Sequence, residues 1–291
     1  MNFLLVLAAI VIEFGLNDVV TLRSPDWSGR WADWAMRQGR DQRWWRGWPA
    51  ALLVIGVPVA ATAVLFAVLF SLAHLLGHAV SLAVLVWMLG PADLRREIEQ
   101  YRRSLGLGAA ARATLGSAFT VTTAGLDLGP ATGDDPFDAA RGELAALALS
   151  AERGWFAPMF WFFVLGPLGA VLYRLCANLE RAPQLEASSA HAIAQMHEAL
   201  AWLPGRITAL TLGIAGTLVP VLEELRAVGV FSWGRTGALV ARASLAAIDH
   251  GRIHAVDASD PQHYRLNQMQ ALVRRALNVW LVVLALIALW A

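Results

Sequence analysis

The feature that most constrains this chain is a run of twenty uncharged residues, "GWFAPMFWFFVLGPLGAVLY", between Arg153 and Arg174. A bilayer core about 30 Å thick needs about 20 apolar residues at a rise of about 1.5 Å per residue. Residues 154–174 are therefore predicted to form a transmembrane helix. Pro167 lies in the middle of this run and lacks a backbone N–H, which predicts a kinked helix packed among neighbouring helices.

The composition agrees with a membrane protein. Apolar residues make up 57% of the 291 residues, and the mean hydropathy is +0.53, which does not suit a soluble globular domain. No alternating strand pattern is present, so the predicted fold class is all-α, a polytopic helical integral membrane protein with a cytoplasmic helical layer. Five other runs are predicted spans in addition to residues 154–174: 2–16, 49–70, 78–89, 206–222 and 276–290. A turn near Gly77 is predicted between the second and the third span.

The distribution of arginine predicts the orientation. All 23 basic residues are arginine, and basic residues in short loops are retained in the cytoplasm. Six crossings place the three arginine-rich segments, residues 17–48, 91–153 and 223–275, on one side of the membrane. We therefore predict a multi-pass protein of the bacterial inner (cytoplasmic) membrane with these segments in the cytoplasm.

The segment "WSGRWADWAMRQGRDQRWWRGW" interleaves tryptophan with arginine, and Trp27, Trp31 and Trp34 follow one face of a helix. Beside a bilayer, tryptophan at the headgroup level and arginine against anionic lipid is a common arrangement. The segment is therefore predicted to anchor the chain to a lipid bilayer with anionic headgroups. No nucleic acid partner is expected, and the sequence predicts no particular oligomeric state.

Few residues have the spacing of a cofactor or metal site. His191, Gln195 and Glu198 occupy one helical face, but no second cluster completes a tetrahedral site. The glycines of "GLGAAARATLG" lack the third glycine of a dinucleotide fingerprint, and the absence of lysine excludes a Walker-type phosphate loop. The sequence thus predicts no metal and no cofactor, and Cys176 is expected to be a packing residue.

Polar residues inside or beside the predicted spans are candidates for binding. Glu13 interrupts an apolar helix and is expected either to face a cavity or to extend to the interface. Arg206 follows "WLP" directly, where a guanidinium can bond freed carbonyls or a carboxylate as a fork. No catalytic residue is assigned, and the candidate binding residues are Glu13, Arg174, Glu180, Trp202 and Arg206.

Three blocks carry a family resemblance: "ARAT" at 111–114, "WFAPMFWFFVLGPLGAVLYR" at 155–174 and "LAWLPGRITAL" at 200–210. In order and spacing they resemble the membrane family that contains AmpE and the adenosylcobinamide-phosphate synthases (CobD/CbiB). The resemblance implies one of two functions. The synthases join an aminopropanol unit to a cobyric acid side chain through an amide bond, whereas AmpE is associated with the induction of chromosomal β-lactamase.

The residues at the polar positions of the synthase pattern favour the AmpE branch. Trp202, Pro204 and Arg206 match the third block, but the acids and amides of the synthases are replaced, and the residues found there are Leu149, Ser150, Arg153, Ala177, Glu180, His197 and Ala201. Loss of several buried hydrogen-bonding groups weakens transition-state stabilisation. The chain is therefore predicted to be a non-catalytic signalling modulator in β-lactamase induction, envelope response and antibiotic resistance, with a protein partner in cell-wall recycling or β-lactam signalling. The alternative is an amide-forming synthase of cobalamin biosynthesis that uses different polar residues.

Overall fold

The computed structural model describes residues 5–9, 27–38, 47–89, 98–99, 102, 123, 125–129, 136–180, 185–248 and 261–290. Regular structure within these ranges is helical and contains no strand, which confirms the all-α class. The chain divides into two compact units, residues 1–90 with 157–201 and residues 91–156 with 202–291. The helices are α1 (Trp27–Gln38), α2 (Trp48–Leu72), α3 (His74–Met88), α4 (Pro136–Ala151), a π-helix (Glu152–Phe156), α5 (Ala157–Leu165), α6 (Pro167–Leu179), α7 (Ala187–Ala215), α8 (Leu218–Val228), α9 (Thr236–Ala246) and α10 (Pro261–Trp290).

Two described helices are long and apolar enough, by length and composition, to cross a membrane: α2 and the part of α10 from Tyr264 to Ile287. Hydrocarbon accommodates a helix whose apolar side chains point outward. On α2 these exposed side chains are Leu52, Val57, Val64, Leu65, Val68 and Leu72. The chain is thus an all-α membrane protein, while the six crossings and their orientation stay predictions.

In the first unit, a tryptophan of α1 completes the hydrogen bonding of α2. Pro58 lies inside α2 and cannot donate to the carbonyl of Val54, four residues earlier. The indole Nε1 of Trp31 donates to that carbonyl at 2.8 Å. Trp31 therefore packs against α2, whereas Trp34 is 54% exposed. The anchoring of this segment to a lipid bilayer stays a prediction.

The turn between α2 and α3 falls at Ala73 and not near Gly77. Ala73 has extended backbone angles, φ −161° and ψ 124°, and α3 begins at the next residue. Gly77 lies within α3, where a Cβ atom would come within 2.6 Å of the Phe70 ring. This glycine provides the space in which α3 packs against α2. In the sequence, a glycine between two apolar runs looks the same whether it forms a turn or allows close packing of helices.

Residues 154–174 do not form one helix. Gly166 has φ +66°, and Pro167 begins α6, where its missing N–H needs no partner. A Cβ atom on Gly169 would overlap the carbonyl oxygen of Trp161, although a continuous helix would separate these residues by about 12 Å. The chain therefore folds back as a helical hairpin. Its arms, about 14 and 20 Å long, are each shorter than a bilayer core of about 30 Å.

In the second unit, α4 begins at Pro136. Within this helix, residues 144–149 are all buried. Helix α4 packs against α9 and α10. It is a core helix of this unit, because its six consecutive buried positions cover every face of the helix.

The predicted helix over 206–222 is divided. Helix α7 ends at Ala215 and α8 begins at Leu218. Between them, Thr217 donates its backbone N–H to Ala247 O at 3.2 Å and its hydroxyl to Ala246 O at 2.7 Å. These bonds to the end of α9 replace the bonds of a continuous helix, so the chain changes direction at this point.

Candidate functional site

A buried polar cluster connects the end of α6 to α7 in the first unit. Nδ1 of His197 lies 2.9 Å from Oε2 of Glu180, and Nε2 lies 3.4 Å from the Tyr173 hydroxyl. Tyr173 is fully buried and His197 is 3% exposed, whereas the Glu180 side chain is 26% exposed. Glu180 is therefore the member of the cluster that a ligand can reach.

The imidazole of His197 joins the members of this cluster. Nδ1 makes a close polar contact with the Glu180 carboxylate, and Nε2 is within hydrogen-bonding distance of the Tyr173 hydroxyl. The imidazole thus fixes the orientation of the carboxylate. A carboxylate held in this way can bind an ammonium group or accept a proton from an amine.

Cys176 lies on α6, four residues before Glu180, and is fully buried. Burial raises the pKa of its thiol to about 12, and the negative charge of Glu180 adds to the effect. Since the thiolate is the reactive form, Cys176 is not a nucleophile at neutral pH. It is a packing residue, as the sequence indicated.

Arg206 and Trp202 form a second cluster, in the second unit. The guanidinium carbon of Arg206 lies 4.1 Å from the centroid of the Trp202 ring, and Arg206 is 6% exposed. Its nitrogens donate to carbonyls and a hydroxyl within this unit: Val230 O at 2.6 Å, Trp202 O at 2.7 Å, Thr236 Oγ1 at 2.9 Å and Ser232 O at 2.5 Å. The side chain therefore holds the loop between α8 and α9.

The carbonyl freed by Pro204 is bound by another residue. Pro204 lies inside α7 and cannot donate to the carbonyl of Leu200. In the first unit, Nε1 of Trp161 donates to Leu200 O at 2.9 Å. This repeats the arrangement of Trp31 with α2, in which an indole replaces the N–H that a proline lacks.

Glu152 is a buried acid that is not among the candidate residues predicted from the sequence. It begins the π-helix Glu152–Phe156 and is 2% exposed. Short π-helices occur frequently at functional sites. Its signal in the sequence is an acid within a largely apolar run, next to the synthase positions Leu149, Ser150 and Arg153.

The remaining candidates are placed as follows. Arg174 is half-buried on α6, next to Tyr173, and Glu13 lies outside the described residues. His191 and Gln195 contact each other at 3.1 Å on the exposed side of α7. Within the described ranges, no three His, Cys, Asp or Glu side chains lie close enough together to hold a metal ion.

Comparisons with known proteins give the family. Residues 6–281 match the CobD/CbiB protein family. The cobalamin biosynthesis protein CobD of Stutzerimonas stutzeri is 33% identical over 148 residues, which cover 44% of this chain and 48% of the relative. The protein of the same name from Chromobacterium violaceum is 31% identical over 143 residues, which cover 47% of this chain and 43% of the relative. The matched region thus spans less than half the length of either relative, and no solved structure matches.

These relatives overturn the AmpE interpretation, so the predicted role in β-lactamase induction and antibiotic resistance is wrong. That prediction rested on the loss of individual polar residues at the positions of the synthase pattern. The structure instead pairs the imidazole of His197 with the carboxylate of Glu180, so the changed positions still form a polar cluster. With a match that covers most of its length, the chain belongs to the CobD/CbiB family.

Proposed function

We propose that this chain is an enzyme of cobalamin biosynthesis in the bacterial inner membrane, and that it forms an amide between a corrinoid carboxyl group and an aminopropanol unit. The observation that carries the proposal is the family match over residues 6–281. Two curated relatives with the name cobalamin biosynthesis protein CobD support it.

The cluster of Tyr173, His197 and Glu180 supports this chemistry. Amide formation must also release a carboxyl oxygen, so the proposed reaction consumes a nucleoside triphosphate: its terminal phosphoryl group is transferred to the carboxylate, the amine attacks the acyl carbon, and phosphate leaves. The attacking amine loses a proton, and a positioned side chain can accept that proton. Glu180 is the partly exposed carboxylate of the cluster. We assign it to bind the amine and accept its proton, and we assign His197 as the positioning residue behind it.

The test uses the full-length protein purified in a mild detergent. Binding of a cobyric acid-type corrinoid is followed by its visible absorbance. Amide formation is followed by mass spectrometry of the product after the aminopropanol unit and a nucleoside triphosphate are added. Glu180→Gln keeps the size of the side chain but removes the proton acceptor, and we expect at least a tenfold fall in kcat, about 1.4 kcal/mol, with no loss of corrinoid binding.

Glu186→Gln is the matched control, because Glu186 is an exposed acid just before α7. This variant should keep the activity of the wild-type protein. His197→Gln should lower kcat less than Glu180→Gln does if His197 acts through the carboxylate. A wild-type protein that neither binds the corrinoid nor forms the amide would refute the proposed function. Full activity of Glu180→Gln would refute the role of this carboxylate.

A further inference from the structure

The second unit contains a small cavity that the proposed chemistry does not use. Its volume is about 190 Å³, and it lies where the break between α7 and α8 and the end of α9 face α10. Pockets for drug-sized ligands usually have volumes of about 300–1,000 Å³, so this cavity suits a smaller molecule. The lining residues are Gly216, Thr217, Ala247, Ile248, Gln268, Leu272 and Arg275.

Two polar groups of α10 line this cavity. Oε1 of Gln268 is buried and has no hydrogen-bond partner among the described residues. The described hydrogen bond of Arg275 uses Nε, which donates to Ala271 O at 3.3 Å, and this leaves the terminal nitrogens of the guanidinium for a ligand. The cavity thus offers an acceptor and a cation, seven residues apart on one face of the helix and about 10 Å apart along it.

The residues of the opposite wall limit the shape of the cavity, and their polar groups are already hydrogen-bonded within the protein. The N–H and the hydroxyl of Thr217 are already bonded to carbonyls at the end of α9. A Cβ atom on Gly216 would overlap Ala247 O and would lie 2.9 Å from Cδ1 of Leu272. The wall is therefore closely packed, and Gln268 and Arg275 are the groups that select a ligand.

The position of these groups on α10 points the same way. They lie within Tyr264–Ile287, which is long and apolar enough to cross a membrane. Both residues lie before residue 276, where the predicted span begins, so they belong to the polar end of this helix, which a ligand from the aqueous side or the headgroup layer can reach. On this helix, Gln268 and Arg275 face a cavity within their own unit.

We propose that this cavity binds a small phosphate ester that carries hydroxyl groups. The guanidinium of Arg275 binds the phosphate oxygens as a fork, and a ligand hydroxyl donates to Oε1 of Gln268. A soluble sugar-alcohol phosphate and the headgroup of an anionic glycerolipid share this chemistry. The site does not depend on the proposed amide-forming activity, and its occupancy is measured without a corrinoid.

The experiment measures binding of glycerol 3-phosphate to the full-length protein in detergent by calorimetry, with glycerol as the probe that lacks the anion. A second arm compares nanodiscs that contain phosphatidylglycerol with nanodiscs of phosphatidylcholine, and native mass spectrometry detects retained lipid. Binding of glycerol 3-phosphate identifies a soluble ligand, whereas retention of phosphatidylglycerol alone identifies a lipid headgroup. Either result supports the site, provided that the variants below respond as expected.

Three variants decide whether the binding belongs to this cavity. Arg275→Gln and Gln268→Leu should each weaken binding at least tenfold. Arg274→Gln should leave it unchanged, because Arg274 is an exposed arginine on the same helix and does not line the cavity. The melting temperature of each variant shows whether it is folded. Because Arg275 is exposed, Arg275→Gln is the variant that we expect to destabilise the fold least. The proposal is overturned if neither probe binds, or if Arg274→Gln weakens binding as much as Arg275→Gln.

Discussion

Replacement of Arg206 by lysine tests how the loop between α8 and α9 is held. The three guanidinium nitrogens of Arg206 reach different acceptors, with Nε bound to Val230 O, Nη1 to Trp202 O and Thr236 Oγ1 and Nη2 to Ser232 O. Lysine keeps the positive charge but has one nitrogen. It cannot reach the acceptors of three separate nitrogens, so at least two of these interactions are lost.

The size of the effect follows from these contacts. A hydrogen bond to a charged group contributes about 1.5–3 kcal/mol, so the loss of two costs about 3–6 kcal/mol in the rigid limit. Val230 and Ser232 are half-buried, so water can partly replace the lost donors, and we expect a value near the lower bound, about 3 kcal/mol. For domains of 150–250 residues, this lowers Tm by roughly 6–12 °C.

The assay is thermal unfolding of detergent-purified protein at one fixed scan rate, followed by intrinsic tryptophan fluorescence. Arg226→Lys is the matched control, because Arg226 is exposed on α8, and its Tm should not change. Chymotrypsin should also cleave the loop of Arg206→Lys faster at Phe231 and Trp233, which are already 83% and 61% exposed. A Tm shift as small as that of Arg226→Lys, with unchanged cleavage, would show that the guanidinium does not hold the loop.

Three further predictions concern single side chains. Trp31→Phe removes the donor to the α2 carbonyl and should destabilise the protein by about 1–3 kcal/mol, measured as a lower Tm. A backbone hydrogen bond from Gly129, with the charge of Arg242, lowers the pKa of Asp127. The resulting stabilisation is present above the unfolded pKa of about 3.9 and is lost as the pH falls through the lower folded pKa, so the Tm difference between wild type and Asp127→Asn should vanish at strongly acidic pH. Because burial raises the pKa of Cys176 to about 12, a maleimide should label its thiol at pH 8 only after denaturation.

Part of the candidate site could be predicted from the sequence. Glu180, Trp202 and Arg206 stood out because charge and tryptophan beside an apolar run are local signals. The partners of Glu180 did not stand out, since His197 is 17 residues away in the chain and only the packing of α7 against α6 brings its ring to the carboxylate. Without this pairing, the replaced polar residues indicate a loss of synthase activity, which is why the sequence alone favours the AmpE branch.

The sequence by itself determined the helical class, the apolar helices α2 and α10 and the motif blocks of the family. These properties depend on residues that are neighbours in the chain, through hydropathy, helix propensity and the missing N–H of proline. Tertiary structure alone decided that the run around Gly166 folds back as a hairpin, and that α4 lies in a core. It also decided that Trp31 and Trp161 bind the carbonyls freed by Pro58 and Pro204. A proline in an apolar run leaves a backbone carbonyl without its usual N–H donor. The donor that replaces this N–H comes from another helix. Packing between helices therefore determines whether the chain kinks, reverses or continues as a helix.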